Sequence, residues 1–183
     1  ILQEAGVGNK DIIVCTGKNF ADGLSASAAN LPIMLVKDSL SDSQREFLAS
    51  LGGSTKFYII GGTAAVNTRI ENALKSYGAT ERIEGATRYY TSVNIAKKFF
   101  PDATSAVLAY ADNFPDGLSG GPLAYAMGAP LLLTKEGKES AISAYIADNS
   151  ISSGYVLGGT SSISDTTARL VFGLNEDAVI STK

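Results

Sequence analysis

Short apolar runs and amphipathic stretches take turns along this chain. Residues 12–15, 33–36 and 57–60 are apolar runs with Gly, Asp, Ser or Lys close by, the pattern of strands buried on both faces. Between them lie stretches with helical spacing. Residues 41–50 open on a Ser suited to an N-cap and carry Phe47 and Leu48 on one stripe. Residues 63–77 place Ala64, Val66, Ile70 and Leu74 at intervals near one helical turn. The second half predicts strands at 107–110, 131–134 and 155–157, with helices over 115–127, 139–148 and 162–172. A helix over 91–100, burying Val93, Ala96, Phe99 and Phe100, joins the halves. Such alternation implies parallel strands linked by crossover helices. Arg82-Ile83 and Val179-Ile180 are candidate edge strands.

The halves are copies of each other. Asn19-Phe20-Ala21-Asp22-Gly23-Leu24-Ser25 returns as Asn113-Phe114-Pro115-Asp116-Gly117-Leu118-Ser119, with six of seven residues identical. Pro32-Ile33-Met34-Leu35-Val36 is matched by Pro130-Leu131-Leu132-Leu133-Thr134, and Tyr58-Ile59-Ile60-Gly61-Gly62-Thr63 by Tyr155-Val156-Leu157-Gly158-Gly159-Thr160. Three anchors in one order define tandem modules of about 95 residues. The expected architecture is α/β: two small Rossmann-like or flavodoxin-like modules with mainly parallel sheets, at residues 1–84 and 85–183. Projected backwards, Ile95 overlies Ile1, so the first module is expected to be truncated at its N-terminus. Val179-Ile180 overlies Arg82-Ile83.

Composition narrows the chemistry. At 183 residues, 45% hydrophobic and 18% charged, the chain is long enough to fold around a real core. There is no His, which removes Ser-His-Asp and Cys-His catalysis and the usual zinc sites, and no catalytic group or metal site is expected. The single Cys15 lies in an apolar run and reads as a buried strand thiol. A net charge of -3 without a basic run argues against nucleic acid, and no apolar stretch is long enough to span a membrane.

Three motifs remain. Gly61-Gly62-Thr63 and its twin Gly158-Gly159-Thr160 sit where a predicted strand meets a helix. They offer free backbone amides to an anion, or else form tight turns with Thr63 and Thr160 as N-caps. A phosphorylated ligand of a Rossmann-like enzyme or sensor is the second reading, although the G-x-G-x-x-G spacing is absent. Asp22 and Asp116 are expected to cap the helices that follow them, with Phe20 and Phe114 plugging the core. A catalytic carboxylate pair would instead need the two within about 10 Å. Arg82 and Arg88, beside Tyr89 and Tyr90, form a fork suited to a phosphate or carboxylate and a sugar face, or alternatively Arg88 sets the orientation of the two modules. A purely structural spacer is a third reading.

The motif set, ending in Arg82-Ile83-Glu84-Gly85-Ala86-Thr87-Arg88-Tyr89-Tyr90-Thr91-Ser92, resembles the cell wall binding repeat 2 family of Gram-positive bacteria. The resemblance covers nearly the whole chain, twice. It implies non-catalytic modules without cofactor, secreted to the cell wall, that hold a protein there through an anionic wall polysaccharide. It also implies a third like module, in the same chain or in an oligomer. Polymer contacts are then expected at Arg88, Arg82, Tyr89 and the two Gly-Gly-Thr turns.

Overall fold

A computed structural model describes residues 2, 6, 10–51, 53–178 and 180. The elements run β1 (Ile12–Thr16), α1 (Ala21–Ala26), a 3₁₀ turn (Ser27–Ala29), β2 (Ile33–Val36), α2 (Asp42–Ala49), β3 (Lys56–Ile60), α3 (Thr68–Lys75), β4 (Ala79–Ile83) and α4 (Arg88–Phe99). Then follow β5 (Ser105–Tyr110), α5 (Pro115–Leu118), α6 (Gly120–Ala126), β6 (Leu131–Thr134), α7 (Ser140–Asp148), β7 (Ser153–Val156) and α8 (Asp165–Phe172). Two sheets result, ordered β2-β1-β3-β4 and β6-β5-β7, and every pairing is parallel. Registers repeat with the sequence: Ile13 pairs with Ile33 in the first sheet as Val107 pairs with Leu131 in the second.

Each sheet needs cover on both faces, because its strands are apolar throughout. In the first module Ile12, Val14, Phe57 and Ile59 face Leu48, Ile70 and Leu74 from α2 and α3. Ser41 caps α2 with a full capping box, its hydroxyl accepting from Gln44 N while the Gln44 side chain accepts from Ser41 N. The other face carries Ile13, Cys15, Ile60 and Ile83, against Ala26 of α1 and Ile95 of α4.

Helix α4 belongs to both modules. Toward the first it sends Ile95, and Phe99 stacks edge-on against Tyr58 at 5.0 Å. Toward the second it sends Tyr89, Val93 and Ala96 into the cluster of Val107, Ala109, Leu131 and Leu133. The Ser92 hydroxyl accepts from Leu133 N and donates to Tyr89 O. The expected boundary after residue 84 thus falls between the last strand of one sheet and the helix both sheets share.

Three expectations are corrected, and a fourth is met only in the first module. The helix expected from residue 63 starts at Thr68, because one separate turn, closed by Ala65 N and Val66 N on Gly62 O, precedes it and Asn67 takes the cap. Thr63 and Thr160 are therefore not N-caps, and Ser164 caps α8. The helix expected over 115–127 breaks at Ser119 into α5 and α6. Arg82-Ile83 does form an edge strand, β4, whereas Val179 lies outside the described residues and Ile180 stands in no strand.

Candidate functional site

The carboxyl ends of parallel strands are where open α/β sheets present loops to ligands. Here the loops that follow β1 and β5 meet at the module junction, through Phe20 and Phe114, with Arg88 beside them. Arg88 opens α4, and its guanidinium donates to Ala111 O just past β5 at 2.5 Å. It stands 3.8 Å from the Asp112 carboxylate and lies over the Phe20 ring at 5.7 Å. Asp112 is also bound by Lys135, at 2.7 Å, from the loop after β6. Arg88 and Lys135 each remain about a third exposed, so both cations retain a face toward solvent.

Phe20 and Phe114, homologous residues of the two copies, pack on each other across the junction with ring centroids 5.6 Å apart. Phe20 is half-buried and packs against the core as expected, whereas Phe114 is exposed and does not plug it.

Asp22 and Asp116 do not cap. The first residue of each helix is preceded by a Phe with no side-chain bond to the helix amides, and Asp22 and Asp116 lie inside the helix at its second position. In the first module the capping bond comes from Asn19, whose Oδ1 accepts from Ala21 N. Each Asp instead lies against the glycine turn of its own module. Gly61 and Gly158 both sit at φ +95, and a methyl group at either would run into the Asp22 or Asp116 carboxylate. That places the two aspartates at separate turns and gives no observation for a shared catalytic pair. Burial pushes the Asp22 carboxyl above its ordinary range, with Arg88 pulling the other way. Burial, with the nearby Asp22, also pushes the Cys15 thiol up to about 12, so it stays protonated and inert.

The turns offer what the sequence suggests, in unequal form. The amides of Gly62, Thr63 and Ala64 have no acceptor among the described residues, and neither do those of Gly159, Thr160 and Ser161. In the first module Gly61 is buried and Gly62, with Glu84 beside it, is half-buried, while Thr63 and Ala64 are exposed. In the second, Gly158, Gly159 and Thr160 are all exposed, and Ser162 donates to Asp116 at 3.4 Å.

Two further expected residues are placed otherwise. Tyr89 is buried beneath α4 in the second module's core, so the ring available at the surface is Tyr90, 47% exposed. Arg82 has its donors committed to Glu71, Gly61 O and Val66 O. Sequence reasoning missed Glu84, Asp112 and Lys135. Each directly follows, or nearly follows, a predicted strand, which is the one signal that marks them.

Among the described residues no group of three His, Cys, Asp or Glu is placed to hold a metal, and no helix is long and apolar enough to cross a membrane. A groove of about 440 Å³ lies between α7 and α8, lined by Ala144, Ala147, Leu170 and Phe172, away from the junction.

Comparison with known proteins agrees with the repeat. The model of the family "Cell wall binding domain 2 (CWB2)" matches residues 1–71 and 82–168. The chain is 35% identical over 162 residues to the N-acetylmuramoyl-L-alanine amidase LytC of Bacillus subtilis, covering 84% of this chain and 32% of that protein. It is 36% identical over 114 residues to the amidase enhancer of the same organism, covering 62% of this chain and 16% of that protein. Among solved structures, Cwp6 and Cwp8 from Clostridium difficile each superpose with a TM-score of 0.73, at 27% and 26% identity, over 92% and 93% of this chain. The chain spans 28% and 31% of those two chains, so it corresponds to about a third or less of each relative. Two tandem copies of one motif set, a parallel sheet in each, and a family match over both halves lead to one conclusion: the chain belongs to the cell wall binding domain 2 family, a non-catalytic unit of the bacterial cell wall and surface.

Proposed function

We propose that the two modules hold a secreted protein at the wall by gripping an anionic wall polysaccharide along their junction. The observation that carries this reading is the position of Arg88 between the loops that follow β1 and β5, facing Asp22, which in turn lies against the glycine turn of the first module. Arg88 and Lys135 receive the charged groups of the polymer. The amides of Gly62, Thr63 and Ala64 supply further donors, and the exposed Glu84 and Asp112 accept its hydroxyls. Tyr90 and Phe114 present ring faces to sugars. Two carboxylates, Asp112 and Asp22, stand near these cations, so attraction must act at short range, which a screening length of about 8 Å at physiological salt permits.

Each contact is weak alone, and repetition along a polymer raises the effective concentration for the next. A third like module belongs to the same reading. In the first module Leu24 is 7% exposed because it packs over Gly117 of the second, whereas its counterpart Leu118 is 62% exposed. The face around Phe114 and Leu118 is thus shaped as the first module's face is, and it fits another copy of the module.

The test is retention of the 183-residue chain on sacculi from a Gram-positive bacillus, with the anionic polymer intact or stripped by hydrofluoric acid, across a salt series. Retention should need the polymer and fall with salt, and Arg88→Ala should flatten that fall by about one charge. Retention that ignores salt and survives Arg88→Ala contradicts the proposal.

A further inference from the structure

Arg82 stands out as an arginine whose guanidinium is nearly sealed, with a side chain only 12% exposed on edge strand β4. Its Nη1 donates to Gly61 O at 2.6 Å and its Nη2 to Val66 O at 2.9 Å, the two ends of the glycine turn. Nε and Nη2 also donate to Glu71 Oε2 in the first turns of α3, at 3.2 and 2.7 Å. The rigid planar fork therefore ties strand β4, both ends of the loop and helix α3 into one block. These bonds, and a weaker one from Lys75, hold the Glu71 carboxyl below the usual carboxylate range.

The orientation of one peptide follows from this. A trans peptide sets its carbonyl and its amide in opposite directions. With Gly61 O held on the guanidinium, Gly62 N–H faces away from it, on the side where no acceptor among the described residues meets it. The sequence repeats no such pair in the second module: it places Val179 at the position of Arg82 and Ala168 at that of Glu71, and neither side chain carries a donor or a charge. There the corresponding glycines are exposed.

We infer that Arg82, anchored by Glu71, is a positioning residue: it clamps the Gly61–Val66 turn with its amides outward, so that the first module's turn is held rigid for binding, where the second's, with the same φ at its glycine, is held by its own backbone bonds. This rests on the wall-polymer reading above for the ligand, but not for the ordering of the turn. A direct contact between Arg82 and the polymer makes the opposite forecast for one variant. Glu71→Gln would release the guanidinium, so it would strengthen binding if Arg82 touched the ligand and weaken it if Arg82 only positions the turn.

The experiment compares the full chain with Arg82→Lys, which keeps the charge but not the fork, and with Glu71→Gln, which keeps the shape. Binding to polymer-bearing sacculi is read over a salt series. Amide exchange is read at Ala65 and Val66, whose N–H groups close the turn on Gly62 O, and at Ile13 and Ile59 in the core. Both variants should bind about five- to tenfold more weakly with the salt slope unchanged, the loss expected when a preorganised contact must be ordered on binding. Exchange at Ala65 and Val66 should quicken by about tenfold while Ile13 and Ile59 stay as before. Tighter or unaltered binding by Glu71→Gln overturns the inference, and so does unaltered exchange at Ala65 and Val66 in both variants. If the unsubstituted chain fails to bind the sacculi, the polymer reading falls. The exchange arm then still decides whether Arg82 orders the turn.

Discussion

Leu24 and Leu118 occupy the same place in two copies of one motif, yet the first is buried and the second stands in water. Tyr58 and Tyr155 differ likewise: Phe99 of α4 stacks on the first, and the second is 43% exposed. Leu133 is sealed under α4, while its counterpart Leu35 is 57% exposed. Identical local sequence therefore does not set burial here. What differs is whether a neighbouring module supplies the covering element, α4 on one side or the glycine-bearing helix α5 on the other. Burial of these positions therefore follows the junction between the two modules rather than the motif itself.

Substitution pairs at matched positions turn this contrast into numbers. Leu24→Ala should cost about 2–4 kcal/mol in urea unfolding, a buried leucine deleted from a packed interface, and Leu118→Ala under about 0.5 kcal/mol, an exposed surface change. Equal costs would mean that the junction contributes nothing to stability. The glycine turns come next. Gly61→Ala combines positive φ with a collision against the half-buried Asp22 and should cost about 2–3 kcal/mol, whereas Gly158→Ala should cost about 1 kcal/mol, because Asp116 is exposed and free to turn aside.

The smallest effect is in pH. Asp22 has a carboxyl raised above its unfolded value, so the folded chain binds more protons than the unfolded one between those two values. Its contribution is therefore most favourable below the ordinary carboxylate range and is lost as pH rises through the raised value. Asp22→Asn should remove that decline from a stability profile. A profile that Asp22→Asn does not alter would place the carboxyl in a wetter setting than the fold shows.

Most of the strand and helix plan was legible because apolar runs and helical stripes are local signals, and the repeat doubled each one. The errors arose where tertiary contacts outweighed local habit. Asp22 has the residue type of a cap but falls inside the helix, Asn19 three residues upstream meets the first helical amide instead, and the missing side chain of Gly61 leaves room for the Asp22 carboxylate. Tyr89 and Tyr90 are indistinguishable in sequence, and only the packing of α4 on β6 decides which is buried. Arg82 and Arg88 read alike as members of a fork. Their roles part because Glu71, eleven residues upstream of Arg82, meets one guanidinium, while the other reaches across to Ala111 in the next module. Lys135 and Asp112 carry no motif and were found only through the site they share.

The central claim is that a module of this chain buries its motif face only against a like module. Solvent paramagnetic relaxation of the leucine methyls tests it directly, with the chain alone and then with a separately made copy of the second module added. Leu24 should be shielded throughout, and Leu118 should be exposed at first and become shielded as the added module binds. A Leu118 signal that stays exposed at saturating module, or shielding that appears elsewhere and leaves Leu118 untouched, would contradict the account.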